Sequence, residues 1–327
     1  MTRTAIASLI ALLALTSSGN DSRTANAQSR GVRELAADLA ASDPITRARA
    51  ACEMRDLGDA ASDAIQPLVG MLGDAAPVEA TVCGRQWWHD DGKNLTTPGE
   101  QAASALVAIG TRAFQPVLTA LRAPLWTARR SAAWALGAFD DQRAVAALIE
   151  ALKDREPGVR EQVAWALGAI DDASAVGALI SALKDTDARV RRQAAWALGA
   201  IDDRRASDAL SAALGDSDDR TREQSAWALG AIGDSAGVPA LLRALADSAD
   251  QVRKQAAWAL GAIDDSRAVD PLIRALSDKN SGVRQQAAWA LGAIGDQRAL
   301  PGLLPSLKDA DAGVRKQAAW AIGAIGK

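Results

Sequence analysis

The chain has 327 residues, 49% of them hydrophobic and 24% charged, and a formal net charge of −3. That balance excludes a low-complexity chain and lacks the strongly basic footprint of a phosphate-binding protein. The aromatic inventory is lopsided, with ten Trp, two Phe and no Tyr.

At the N-terminus, Arg3 precedes an uncharged apolar run from Ala5 to Leu15 and a polar stretch ending in Ala25-Asn26-Ala27. This order predicts a secretory signal peptide over 1–27, with an apolar N-terminal helix as the rival reading. The run is shorter than the roughly 20 residues a bilayer span needs, and no later segment approaches that length. The expected mature chain is therefore exported, periplasmic or secreted, without a membrane span, and carries 35 basic against 39 acidic residues.

Residues 28–110 predict two irregular helical hairpins. Val32 to Ala41 and Thr46 to Leu57 form the first, and Ala61 to Leu72 with Pro98 to Ile109 the second. Between the helices of the second lies an insertion, 73–97, which holds Cys83, Trp87, Trp88, His89, Asp90 and Asp91. Cys52 and Cys83 are the only cysteines, and an even count in an exported chain predicts a disulfide between them. Two free thiols are the alternative.

Residues 111–327 are an internal repeat. Trp134, Trp165, Trp196, Trp227, Trp258, Trp289 and Trp320 stand 31 residues apart, and Arg160, Arg191, Arg222, Arg253, Arg284 and Arg315 keep the same period. So do Asp172, Asp203, Asp234, Asp265 and Asp296. Each unit carries two amphipathic stretches, as in Ala175 to Leu183 and Val190 to Ile201. The Asp-Asp or Gly-Asp pair after the second stretch suits a helix stop followed by the next N-cap. A hairpin of this kind buries its apolar face only against its neighbours, so the prediction is an all-α, right-handed α-solenoid of about nine hairpins.

The run Val190-Arg191-Arg192-Gln193-Ala194-Ala195-Trp196-Ala197-Leu198-Gly199-Ala200-Ile201-Asp202-Asp203 and its copies resemble HEAT repeats of the bacterial phycobilin-lyase-like class, and are similar to consensus-designed helical repeats. The resemblance is strong over 111–327 and weak over 31–110. It implies that the second helix of each hairpin lines a concave face, and it is nearly silent on function.

At about 100° per residue, each Trp points roughly 150° away from the core direction set by the apolar positions around it. The Trp column, Trp134 through Trp320, is thus the candidate partner-binding surface, a ladder beside Gln162, Gln193, Gln224, Gln255, Gln286 and Gln317. The next position varies in charge: Arg130, Glu161, Arg192, Glu223, Lys254, Gln285 and Lys316. Flat aromatic faces, amides and scattered charges suit a peptide, protein or glycan partner, and Trp is the residue type most enriched at protein-binding hot spots. The other reading is lateral packing, each indole lying on the Ala and Gly of the neighbouring helix. The Arg and Asp columns are expected to tie repeats together and cap helices. Trp87, Trp88 and His89 form a secondary loop site.

Catalysis is not expected. There is one His, no Gly-rich phosphate loop after a strand, and no cofactor or metal set; His89 beside Asp90 and Asp91 reads as a solvated loop. The deoxyhypusine hydroxylases resemble the chain in fold, but a one-His protein cannot supply their repeated His-Glu pairs. The reading is a non-catalytic exported scaffold that binds a protein or peptide, not nucleic acid, with self-association through the uncapped last repeat as a further expectation. Its rivals are a glycan-binding module and a phycobilin-lyase-like HEAT protein.

Overall fold

The structure is a computed structural model that describes residues 31–83 and 94–326. The predicted signal segment and Trp87, Trp88 and His89 lie outside the described residues. The chain forms two compact units, 1–170 and 171–327. In the first, α1 (Val32–Asp38) packs on α2 (Pro44–Leu57), α3 (Ile65–Met71) on α4 (Pro98–Ile109), α5 (Thr111–Ala120) on α6 (Trp126–Phe139) and α7 (Val145–Ala151) on α8 (Pro157–Ile170). In the second, the pairs are α9 (Val176–Ala182) with α10 (Ala188–Ile201), α11 (Ser207–Ala213) with α12 (Asp219–Ile232) and α13 (Val238–Ala244) with α14 (Asp250–Ile263). α15 (Val269–Ala275) with α16 (Ser281–Ile294), and α17 (Leu300–Ser306) with α18 (Ala312–Ile325), complete it. The architecture is the predicted all-α solenoid of helical hairpins.

Each hairpin is closed by leucines at fixed places. Leu179, Leu210, Leu241, Leu272 and Leu303 on first helices and Leu198, Leu229, Leu260 and Leu291 on second helices are all fully buried. The boundaries follow from short-range chemistry. Asp140, Asp171, Asp202 and Asp264, or Gly233 and Gly295, take positive φ just past the second helix and stop it. The next residue, Asp141, Asp172, Asp203, Asp234, Asp265 or Asp296, accepts a backbone N–H two residues on and opens a single 3₁₀ turn that leads into the next first helix. The repeated Asp pair is therefore a stop and a start in two residues.

The Arg column ties each repeat to the next. Arg191, Arg222, Arg253 and Arg284 each make a two-bonded pair with a carboxylate 25 residues on, Asp216, Asp247, Asp278 and Asp309, with Nε–Oδ2 distances of 2.6 to 2.8 Å. In the first unit Arg129 does the same with Asp154. The third nitrogen of each Arg, Nη1, donates to carbonyls of its own inter-helix turn, as Arg222 does to Asp216 and Ser217. The hydrogen bonds from Arg222 and Arg253, opposed by burial, hold the Asp247 and Asp278 carboxyls below the usual range.

A carboxylate whose native pKa lies below its unfolded value stabilises the fold above the unfolded pKa of about 3.9, and that stability drains away as the pH falls through the native value. Urea midpoints are therefore expected to hold between about pH 7 and 5 and to drop steeply below about pH 4. Asp278→Asn should start lower and show a shallower acid slope. Identical slopes for both proteins would exclude Asp278 as a source of the acid sensitivity.

The insertion returns to where it left. Gly99 N donates to Asp74 O at 3.0 Å, and Val78–Glu79 (β1) pairs antiparallel with Leu95–Thr96 (β2). Both ends of the loop are thus held together, so the hairpin it interrupts keeps its packing. Thr97 and Glu100 then form a capping box that starts α4. Cys83, on the insertion, is bonded to Cys52 on α2 with Cα atoms 5.8 Å apart, as the sequence predicts. Cys52 stands six residues before the Gly58 that ends α2, as Trp134 stands six before Asp140, so the bridge occupies the tryptophan position of the first hairpin. Closing a loop with a sequence separation of 31 should contribute about 3.5 kcal/mol. Cys52→Ser with Cys83→Ser is expected to lower the unfolding free energy of the first unit by that amount; an unchanged thermal midpoint would contradict it.

Candidate binding face

The tryptophans of the second unit sit on α10, α12, α14, α16 and α18, and a glycine three residues past the Trp of the preceding helix receives each of the last four. A Cβ built on Gly230 would stand 2.7 Å from Cζ3 of Trp258 and 2.7 Å from Cα of Ala259. Gly199 meets Trp227 and Ala228, Gly261 meets Trp289 and Ala290, and Gly292 meets Trp320 and Ala321 in the same way. In the first unit Gly137 receives Trp165 and Ala166. The six-membered edge of each of these indoles is therefore spent on a neighbouring helix, which is the lateral packing considered from the sequence.

That packing does not cover the whole ring. Trp165, Trp196, Trp227, Trp258 and Trp289 are half-buried, Trp320 is 48% exposed, and Trp134 alone is buried, at 7%. Because Cζ3 is inserted, the pyrrole edge with Nε1 lies at the far end of each ring. Among the described residues nothing bonds to Nε1 of Trp196, Trp227, Trp258 or Trp289, and none of these atoms is sealed from solvent. The side chains of Gln193, Gln224, Gln255, Gln286 and Gln317, also half-buried, have no hydrogen-bond partner among the described residues. Gln162 sits at the same register on α8, next to the half-buried Trp165.

The variable position beside them bridges repeats. Lys254 lies along Gly282 of the following helix, and Gln285 along Gly313. In the first unit Arg130 pairs with the buried Glu100 at 3.1 Å and stands 5.6 Å from the ring of Trp126. Trp126, 41% exposed, is an aromatic on this part of the molecule that the 31-residue period passes over, since it starts α6 instead of standing in the Trp column. The receiving glycines were also not singled out from the sequence; the signal was the glycine that stands three residues after the Trp in every copy.

The profile of HEAT repeats matches residues 114–182, 176–257 and 238–323. The chain belongs to the HEAT-repeat family. Among solved structures, this HEAT protein is similar to YibA of E. coli, with 21% identity over 73% of this chain and 89% of that one and a TM-score of 0.58. It also matches the CpcE–CpcF phycocyanin lyase complex of Nostoc sp., at 25% identity over 65% and 94% with a TM-score of 0.45. An engineered protein matches at 22% identity over the full length of both chains with a TM-score of 0.49. No curated protein matches the chain.

Within the HEAT framework the described residues contain no group of three His, Cys, Asp or Glu placed to hold a metal ion, and no helix long and apolar enough to cross a membrane. Arg253, whose pKa is raised, and Asp278, whose pKa is lowered, are shifted chiefly by their hydrogen bond to each other between repeats.

Proposed function

We propose that this HEAT protein is a non-catalytic, exported scaffold that binds a protein or peptide along the Trp/Gln face of its second helices. The observation that carries the reading is the ladder of indole and amide groups in the second unit, polar atoms that none of the described residues engages. Within that unit successive second helices pack along one another while successive first helices touch sparsely. A stack curves toward its tighter layer, which supports treating the Trp side as a groove. A glycan would stack on an open aromatic face, whereas these rings are inserted edgewise and offer a strip with an N–H. That geometry favours a ligand rich in carbonyls. The Cys52–Cys83 bridge supports an oxidising compartment. Self-association through the exposed Leu304, Leu307 and Trp320 of the last repeat is part of the proposal.

Capture from an extract of the exported fraction tests the reading. The wild-type protein should retain a protein partner that Trp227→Phe with Gln224→Ala loses, with thermal midpoints close to each other. Equal capture by both would move the binding site elsewhere. Recovery of the chain only from the cytoplasm, uncleaved after Ala27, would remove the exported part of the proposal, and a concentration-independent monomer would remove self-association.

A further inference from the structure

We infer that the occupant of this face is a polyproline II segment, laid along the second unit with one turn per repeat; the inference rests on the reading of the face as a peptide site. The first argument is pitch. Packed helices lie about 8–10 Å apart, and here the same glycine-on-alanine approach recurs at Gly199, Gly230, Gly261 and Gly292, so the steps between repeats are uniform. A β-strand returns the same face every two residues, about 6.6 Å, and falls out of step within a few repeats. An α-helix advances about 5.4 Å per turn and has its carbonyls already bonded. Polyproline II returns the same face every three residues, about 9.3 Å, within the spacing of the repeats.

Hydrogen-bond chemistry is the second argument. Polyproline II has no internal hydrogen bonds, so every turn presents free carbonyls, and proline supplies no N–H of its own. Such a ligand asks for donors at a regular interval. The face supplies them: Nε1 of Trp196, Trp227, Trp258 and Trp289, beside the amides of Gln193, Gln224, Gln255 and Gln286, none engaged by the described protein. The half-exposed indole strips between these donors are apolar surface on which pyrrolidine rings pack.

The test uses the whole protein and two fluorescein-labelled peptides of about fifteen residues, long enough for five turns. One has proline at two of every three positions; the other replaces each proline by alanine. The proline peptide should bind and change the indole emission, with the alanine peptide about tenfold weaker. Trp258→Phe, which keeps an aromatic ring and removes the N–H, should weaken the proline peptide by about three- to tenfold at a nearly unchanged urea midpoint. Equal affinity for the two peptides would overturn the polyproline inference and leave the peptide reading standing. Binding of neither peptide, while the capture experiment still retains a partner on the Trp face, would also overturn the inference and assign the face to a folded protein surface.

Discussion

Gly230→Ala is expected to destabilise the second unit by about 3 kcal/mol, and Gly230→Val by more than about 4, although alanine is intrinsically the better helix former by about 1 kcal/mol. The added carbon would stand 2.7 Å from both the Trp258 ring and the Ala259 Cα. The ring could turn away at the loss of its packing, but the backbone atom cannot, so two helices must separate along their whole contact. Trp258→Ala in the same chain should therefore relieve only part of the loss. Gly323 occupies the same place in α18 and has nothing within 4 Å of a built Cβ. Gly323→Ala should follow propensity alone and stabilise by up to about 1 kcal/mol. Urea unfolding of the two variants side by side decides the matter, because equal shifts at the two sites would mean that the inter-helix contact does not account for the glycine column.

The 31-residue spacing made the hairpins legible because every copy repeats the same apolar positions. Pro98–Ile109 is the helix the pattern predicted, to the residue. The cysteine pair was legible from parity and from the expectation of export. Where the reading stopped short, the reason lies in neighbours that a single helix does not reveal. Ala61 to Leu72 was expected as one helix, but Gly58 takes positive φ and a 3₁₀ stretch, Gly58–Ala64, precedes α3. The two-residue strands of the insertion carry no alternation to detect. The angular argument placed the tryptophans away from the hairpin's own core, yet it is drawn on an isolated helix and gives no weight to the preceding second helix, where the glycine notch lies. The Asp column that caps the 3₁₀ turns was visible; the carboxylates that pair with the Arg column were not distinguished from other turn residues, because which aspartate meets which arginine depends on how two repeats stack.

Arg253→Met is expected to cost about 3 to 5 kcal/mol. Arg253 is the most enclosed of the paired arginines, with its side chain 7% exposed, and it bonds at once to Asp278, to the carbonyls of Asp247 and Ser248, and to Asp250. Methionine keeps much of the stem packing, so the loss isolates the guanidinium. What remains is the Asp278 carboxylate, 13% exposed, deprived of its cation while still held in the turn by the N–H of Asn280. Its native pKa, below the usual range in the wild type, should then rise, because the arginine hydrogen bond that lowers it most is gone and only the Asn280 N–H and Lys279 still oppose burial. The wild-type pair loses stability on acidification through the lowered pKa, whereas the variant, its carboxyl less depressed, has less to lose, so the gap between them should narrow below about pH 4. Adding Asp278→Asn keeps the turn acceptor and removes the stranded charge, and the double variant should be more stable at neutral pH than Arg253→Met alone. If the two losses simply add and the gap is the same at every pH, the arginine acts through its carbonyl contacts within its own repeat, and the pairing between repeats contributes nothing measurable.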